Sequence, residues 1–353
     1  MSQLRSGLTT GTCAAAAAKA AVTLLLEEAS LRDVEIALPE GDRVVVPLVY
    51  VRGDRTRAEA AVCKDAGDDP DITNGLHVVA SVTLIEEDDV MIAAGDGVGT
   101  VTKPGLSMAV GEPAINPIPR LMIRKAVREV TDRGIKVTIS IPGGREIAEK
   151  TFNPRLGIIG GLSILGTSGR VRPFSCPALR TSLKCLLDVA GACGIRAPIL
   201  VPGHIGRRAV RRHFLVSSGQ VIEVSNEWGF MLDYASGQKF EALMALGHPG
   251  KMAKLAMGEW DTHSSRSKSA VPFVYDLALA ESVIGRKMKE MLTVEGIFSV
   301  LSGPEQKKLG DVLAQRIQKN ISMRIGVGLQ IAVVLVNMRG DIMGNRGDLT
   351  RWT

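Results

Sequence analysis

The chain reads as an N-terminal mixed α+β domain over residues 1–153 followed by a Rossmann-like α/β domain over residues 154–353. Three observations predict this. At 353 residues it exceeds one ordinary core, since domains hold about 100–200 residues each. Before about residue 141, short alternating and β-branched runs dominate; after about residue 154, strand-like and helix-like runs alternate. Finally, 38 glycines exceed the roughly 7% of an ordinary chain, and glycine excess points to ligand loops.

The elements follow in order. Thr9-Thr10-Gly11-Thr12-Cys13 runs straight into five alanines, a hydroxyl-rich turn at the head of a small-residue helix. Threonine oxygens cap free amides, glycine admits a ligand close to the backbone, and first-turn N–H groups carry the positive end of the helix dipole. An anionic group can dock on such a head, and the same residues also cap ordinary helices. Runs at 34–38, 44–51, 77–85 and 90–93 read as strands. A helix over 116–133 tolerates Pro117 and Pro119 in its first turn and stops at Gly134, and 135–141 is a further strand. Past the Pro142-Gly143-Gly144 turn and a boundary near Pro154, 156–165 reads as a strand ending in a glycine loop, with a helix over 178–192. Strand 198–201, helix 205–214, strand 221–224, helix 228–235, strand 242–246 and helix 250–257 repeat a βα rhythm, which argues a parallel sheet. A helical stretch over 271–320 and a last strand at 330–337 complete the chain.

Composition narrows the function classes. Hydrophobic content of 45% and charged content of 23% suit a globular chain with a large core. Aromatic content of only 4% argues against a protein that grips single-stranded nucleic acid by stacking. The net charge of +6 draws polyanions of any kind, acidic small molecules included. Cys13, Cys63, Cys176, Cys185 and Cys193 form no C-x-x-C pair and are odd in number, as expected of reduced thiols in a cytoplasmic protein without a zinc site. Cys13, at a helix head, is either a thiol of lowered pKa or a small buried filler. Arg5 ahead of the apolar run at 13–26 has the look of a signal peptide. Lys19 interrupts that run, Glu27 and Glu28 follow it, and it falls short of the roughly 20 apolar residues of a membrane span.

Three glycine-rich or basic motifs stand out. Gly166-Thr167-Ser168-Gly169 falls where a first βα turn is expected, its amides suited to a carboxylate or a ribose. Such folds place an acidic residue after the second strand, where this reading finds only Pro202, Gly203 and His204, with Glu223 one strand late. Gly95, Gly97 and Gly99 also follow a strand, but no helical pattern comes next. They form either a hairpin bulge or a wrap for a carboxylate, with Lys103 as counter-charge. Arg207, Arg208, Arg211 and Arg212 share one helical face opposite Ile205, Ala209, Val210 and Phe214, a solvated basic face or a recruiter of polyanions or RNA.

The run from Gly7 through Thr9-Thr10-Gly11-Thr12-Cys13 to Ala21 is followed in order by Gly95-Asp96-Gly97-Val98-Gly99, Gly111-Glu112-Pro113-Ala114-Ile115-Asn116-Pro117 and Leu165-Gly166-Thr167-Ser168-Gly169. Ser225-Asn226, Gly247-His248-Pro249-Gly250-Lys251 and Thr262-His263-Ser264 come after. This series resembles the CbiD family of cobalt-precorrin-5B C1-methyltransferases along nearly the whole chain. The resemblance implies methyl transfer from S-adenosylmethionine to C-1 of cobalt-precorrin-5B, giving cobalt-precorrin-6A, in anaerobic cobalamin biosynthesis. It implies a cytoplasmic enzyme whose partners are the cobalt-containing tetrapyrrole and other enzymes of that pathway, with no membrane and no nucleic acid. Cobalt arrives inside the substrate, so no protein metal site is required.

On that resemblance Gly166, Thr167, Ser168 and Gly169 are the expected S-adenosylmethionine loop. Thr9, Thr10, Gly11, Thr12, Gly95, Gly97, Gly99, Lys103, Asn116, Arg170 and Arg172 are the expected substrate contacts. Arginine suits the carboxylate rim of a tetrapyrrole because it pairs with carboxylates through two parallel bonds. His263 is the candidate base, imidazole being the side chain that exchanges protons near neutral pH. Two positions depart from the family pattern: Lys268 stands where an acid is expected and Arg170 where an aliphatic residue is. Two rival readings are an RNA-binding or RNA-modifying protein using the basic helix, and a non-catalytic tetrapyrrole carrier.

Overall fold

The computed structural model describes residues 4–283, 288–326 and 328–353. Two compact mixed α/β units make up the chain, Met1–Ala178 and Leu179–Thr353.

In the first unit helix α1 (Thr10–Glu27) is packed against a five-stranded sheet. The strands are β1 (Tyr50–Gly53), β2 (Ala58–Cys63), β3 (His77–Leu84), β4 (Val90–Ala94) and β5 (Ile135–Ser140), in spatial order β1-β2-β3-β5-β4. Neighbours are antiparallel except β5 and β4, which run parallel because helix α2 (Pro117–Arg128) lies in the crossover between them. Cys13 to Ala18 and Ala20 to Val22 are all 0% exposed, so α1 is a buried helix rather than an amphipathic one. Alanine side chains let β2, β3 and α2 all approach it closely. The apolar run at 44–51 is not one strand. Its first half pairs, as Arg43–Pro47, with Asp33–Ala37 in a separate hairpin, and Pro47, lacking an N–H, ends that ladder before β1 begins. Helix α2 stops at Arg128, short of the expected 133.

Residues 156–165 correct the sequence reading. They do not open a second domain. Asn153–Leu156 is a helical turn, Ile158–Ile159 pairs with Thr100–Val101, and single bridges join Val98 to Leu162 and Ile115 to Ile164. The apolar residues find their partners in the glycine-rich 95–101 segment of the first unit instead of a parallel neighbour. The units divide after Ala178, inside helix α3 (Cys176–Ala192).

The second unit is built on β6 (Ile199–Val201), β7 (Val221–Glu223), β8 (Ala242–Gly247), β9 (Gln330–Val336) and β10 (Ile342–Arg346), in spatial order β7-β6-β8-β9-β10. The first four are parallel and β10 closes the edge antiparallel. Helix α4 (His204–His213) follows β6, α5 (Trp228–Ser236) follows β7 and α6 (Pro249–Ala256) follows β8. Helices α7 (Val271–Ala280), α8 (Val294–Ser299) and α9 (Gly303–Ile325) precede β9, and the stretch expected to be helical over 271–320 includes residues 284–287, outside the described residues. Alternation decides the layers. Ile199, Val201, Met244, Leu246, Val334 and Val336 share a core with Ala209 and Val210 of α4, with Phe214 just after it and with Trp352. Their sequence neighbours Leu200, Leu243, Ala245, Val333 and Leu335 are equally buried, so both faces of the sheet are covered, as a parallel sheet requires.

Candidate functional site

At the head of α1 the two best sequence motifs of the first unit meet each other. Thr9 caps the helix, its Oγ1 accepting the Thr12 N–H at 3.2 Å. The Gly11 amide donates to the Leu165 carbonyl at 3.0 Å, and the Thr9 amide to the Gly169 carbonyl at 3.1 Å. Thr12 Oγ1 donates to the same Gly169 carbonyl at 2.7 Å, while Thr10 Oγ1 accepts from the Leu165 amide at 2.9 Å. Gly166 adopts φ +138°, and a Cβ there would fall 2.2 Å from Thr9 Oγ1. Thr9, Thr10, Gly11 and Thr12 are buried and the Thr9, Gly11 and Thr12 amides are satisfied inside the protein, so this helix head is a packing junction, not the open anion cradle expected. Nor do Gly166 to Gly169 form a βα turn: the loop seals α1, leaving Thr167 exposed beside Ser168, Arg170 and Arg172. Arg172 lies 4.0 Å from Glu40 and its side chain is 71% exposed, so solvent screens the pair and leaves the guanidinium open to a carboxylate.

Gly95, Gly97 and Gly99 serve close backbone packing. The Gly97 carbonyl accepts the Leu162 amide at 2.8 Å, and the Gly99 amide donates to the Leu162 carbonyl at 2.9 Å. Lys103 lies over Gly157 with its Nζ 3.5 Å from the Arg155 carbonyl, a weak contact that leaves its charge available. Asn116 is the N-cap of α2, yet its side chain makes no cap hydrogen bond. Cys13 is the filler and not the activated thiol: burial pushes it up to about 12 against the pull of Lys64. Among the described residues no group of three or more His, Cys, Asp or Glu side chains is placed to hold a metal ion.

In the second unit the polar residues of the sequence motifs gather at the carboxyl ends of β6, β7 and β8. With β6 as the first strand, Pro202-Gly203-His204 becomes the first βα turn and Glu223 the last residue of the second strand, the position the sequence reading had left empty. The missing signal was legible as the spacing of Gly203 and Glu223, but it was masked by taking 156–165 as the opening strand. Ser225 after β7 is held at φ +54°. Asn226 then ties the next segment in, its carbonyl accepting the Thr262 amide and its Oδ1 the Thr262 Oγ1, each at 3.1 Å. Lys254, buried, donates to the Thr262 carbonyl at 3.1 Å and to Ser267 at 2.8 Å.

Both histidines of this edge have ring nitrogens engaged by neighbours. His248 caps α6, Nδ1 accepting the Gly250 amide at 3.1 Å, so Nε2 carries the proton and donates to Glu295 at 2.6 Å. His263 Nδ1 accepts the Ser265 amide at 3.2 Å and sits 2.7 Å from Ser265 Oγ. With Nδ1 accepting, the exposed ring presents its Nε2 proton outward; with Nδ1 donating to Ser265 Oγ, it presents an Nε2 lone pair. Three of the four arginines on the basic face of α4 meet neighbours. Arg207 lies 3.8 Å from Glu223, Arg208 donates to the Met338 carbonyl at 2.6 Å and Arg212 pairs with Asp341 at 2.7 Å.

Comparison with known proteins follows the same two-part layout. The CbiD family model matches residues 1–173, and that of CbiD, C-terminal domain, matches residues 261–347. The cobalt-precorrin-5B C(1)-methyltransferase of Syntrophotalea carbinolica is 53% identical over 352 residues, 100% of both chains. Its counterpart in Methanocaldococcus jannaschii is 41% identical over 348 residues, 96% of this chain and 95% of that relative. Among solved structures, the cobalamin biosynthesis protein (cbiD) of Archaeoglobus fulgidus is similar at 31% identity, covering 74% of this chain and 83% of that one with a TM-score of 0.39.

Proposed function

The chain belongs to the CbiD family, and from that premise we propose that S-adenosylmethionine donates the methyl group for the reaction it catalyses, methylation of C-1 of cobalt-precorrin-5B to cobalt-precorrin-6A. The observation that carries the reaction is 53% identity along 100% of both chains to a methyltransferase of that name. Bound S-adenosylmethionine supplies a methyl already activated on a sulfonium. The residues present fit it: an acid that accepts from hydroxyls ends β7, and a half-buried lysine that suits a carboxylate stands in the first turn of α6. We read the second unit as a Rossmann-like scaffold for that molecule.

What the chain itself contributes is placement. Arg170, Arg172 and Lys103 of the first unit are the cations that best suit the acetate and propionate rim of the tetrapyrrole, and exposed Thr167 joins them on the substrate side. Holding the reacting carbon in line and excluding water lowers the barrier without a protein nucleophile. With its Nδ1 engaged by Ser265, His263 is read as a hydrogen-bond donor and not as the base. Among the described residues no helix is long and apolar enough to cross a membrane, and all five cysteines are free.

The test is anaerobic incubation of the purified protein with cobalt-precorrin-5B and S-adenosylmethionine, followed by mass spectrometry. A product bearing one added methyl at C-1 is expected. Tetrapyrrole binding without conversion would favour a carrier, and salt-sensitive RNA binding without tetrapyrrole binding would favour the RNA reading, already weakened by the paired arginines of α4.

A further inference from the structure

In an open parallel sheet, ligands settle outside the carboxyl ends of the strands where the strand order reverses. Here the reversal lies between β6 and β8: the chain leaves β6 toward β7 on one side, then returns past β6 to β8 on the other. The backbone at that point is built for close approach. A Cβ on Gly206 would fall 2.9 Å from the Val201 Cβ, so α4 rests directly on β6, and a Cβ on Gly247 would fall 2.9 Å from Pro202. Gly203 is different. A Cβ there would meet only the Glu223 Oε1, at 3.5 Å, so the glycine leaves the space over the first βα turn open beside that carboxylate.

The facing strand end contributes a cation. Lys251 is half-buried in the first turn of α6, and among the described residues its ammonium makes no hydrogen bond or ion pair. Burial first, then Lys254, holds its ammonium below the ordinary lysine range, while Glu223 across the crevice acts in the opposite direction. A cation kept half-dry without a partner is a group awaiting an anion. A concavity at the amino-terminal edge of the sheet lacks such a group: Arg196 there donates to the Lys239 carbonyl and Arg351 pairs with Glu241.

The geometry points to the crevice at the carboxyl ends of β6, β7 and β8 as the seat of S-adenosylmethionine, with Glu223 accepting from the ribose hydroxyls, Gly203 beneath the nucleoside and Lys251 meeting the amino-acid carboxylate. This assignment rests on S-adenosylmethionine being the donor and moves its seat from the 166–169 loop to the second unit. Acid at the end of the second strand and glycine in the first turn are the arrangement that recognises a ribose in such sheets. His248, fixed between Gly250 and Glu295, holds the start of α6 and so acts as a positioning residue for Lys251.

Calorimetric titration of the full chain with S-adenosylhomocysteine and with its 2′-deoxyribose analogue tests this. The unaltered protein is expected to bind the first about tenfold or more tightly than the second, since a hydrogen bond to a charged acceptor is at stake. Glu223→Gln should erase that preference, and Lys251→Gln and Gly203→Ala should each weaken S-adenosylhomocysteine about tenfold, with thermal midpoints near that of the unaltered protein. Gly203→Ala secures the test should loss of the Arg207 contact unfold Glu223→Gln. Retention of the ribose preference and affinity in these variants, or their loss in Thr167→Val instead, overturns the seat while leaving the donor intact. Failure of the unaltered protein to bind S-adenosylhomocysteine, even with a cobalt corrinoid bearing free carboxylates present, overturns both the seat and the donor.

Discussion

His263 shows how one hydrogen bond changes a residue's chemistry. A neutral ring whose Nδ1 accepts the Ser265 amide cannot also accept at Nε2. A general base is worth about 10²–10⁴ in rate, so His263→Gln is expected to lower turnover by less than about tenfold, measured as kcat with saturating substrates. A larger loss would restore the histidine as base. A second residue-scale case is the Lys64–Asp71 pair, at 2.6 Å with the lysine side chain only 2% exposed. Burial acts to raise the Asp71 carboxyl, but hydrogen bonds from Lys64 and Thr73 outweigh it and hold the group below its ordinary range. The unfolded chain therefore binds the proton more readily. The stabilisation is complete above an ordinary aspartate pKa of about 3.9 and is lost as pH falls through the depressed folded value. Asp71→Ala leaves the ammonium buried without its partner and is expected to cost about 3–5 kcal/mol in urea unfolding at neutral pH, with a smaller deficit in acid.

At the scale of elements, α4 carries a test of helix-on-strand contact. Replacing a mid-helix glycine by alanine ordinarily stabilises a helix by about 1 kcal/mol. Gly206→Ala should do the reverse, because its methyl would stand 2.9 Å from the Val201 Cβ and 3.1 Å from the Leu246 carbonyl, both in the packed sheet. A lower denaturation midpoint is the expected result, and a raised one would show that α4 can lift off β6. Helix α1 was legible in sequence because a threonine cap and an alanine run are local signals, and its cap is the one observed. Strand β2 was not singled out, since Ala58-Glu59-Ala60-Ala61-Val62-Cys63 has weak strand propensity and is held by β1 and β3 on either side. The mistaken strand at 156–165 arose similarly: an apolar run between glycines satisfies a strand pattern whether it joins a parallel sheet or lines a loop.

For the whole molecule the net charge of +6 meets a polyanionic substrate. Long-range attraction weakens as the screening length falls from about 30 Å at 0.01 M salt to about 8 Å at 0.15 M. The value of kcat/KM for the tetrapyrrole should accordingly fall several-fold over that range while S-adenosylhomocysteine affinity, set by short contacts within a crevice, changes little. Equal salt sensitivity of both would show that the field of the chain does not steer the substrate.

Sequence by itself determined the family, the mixed α/β character, the buried α1 and the residue types available for carboxylates, because each is written in local composition or in contiguous motifs. Only the tertiary structure decided what those motifs touch. It turned Thr9 to Thr12 and the 165–169 loop toward one another, the Thr9 and Gly11 amides meeting the Gly169 and Leu165 carbonyls. It also made β6 the first strand of its sheet, which set Gly203 beside Glu223. Hydrogen bonds across more than a hundred residues and the order of strands in a sheet are long-range pairings, and no local propensity encodes which of several chemically equivalent partners a backbone group will find.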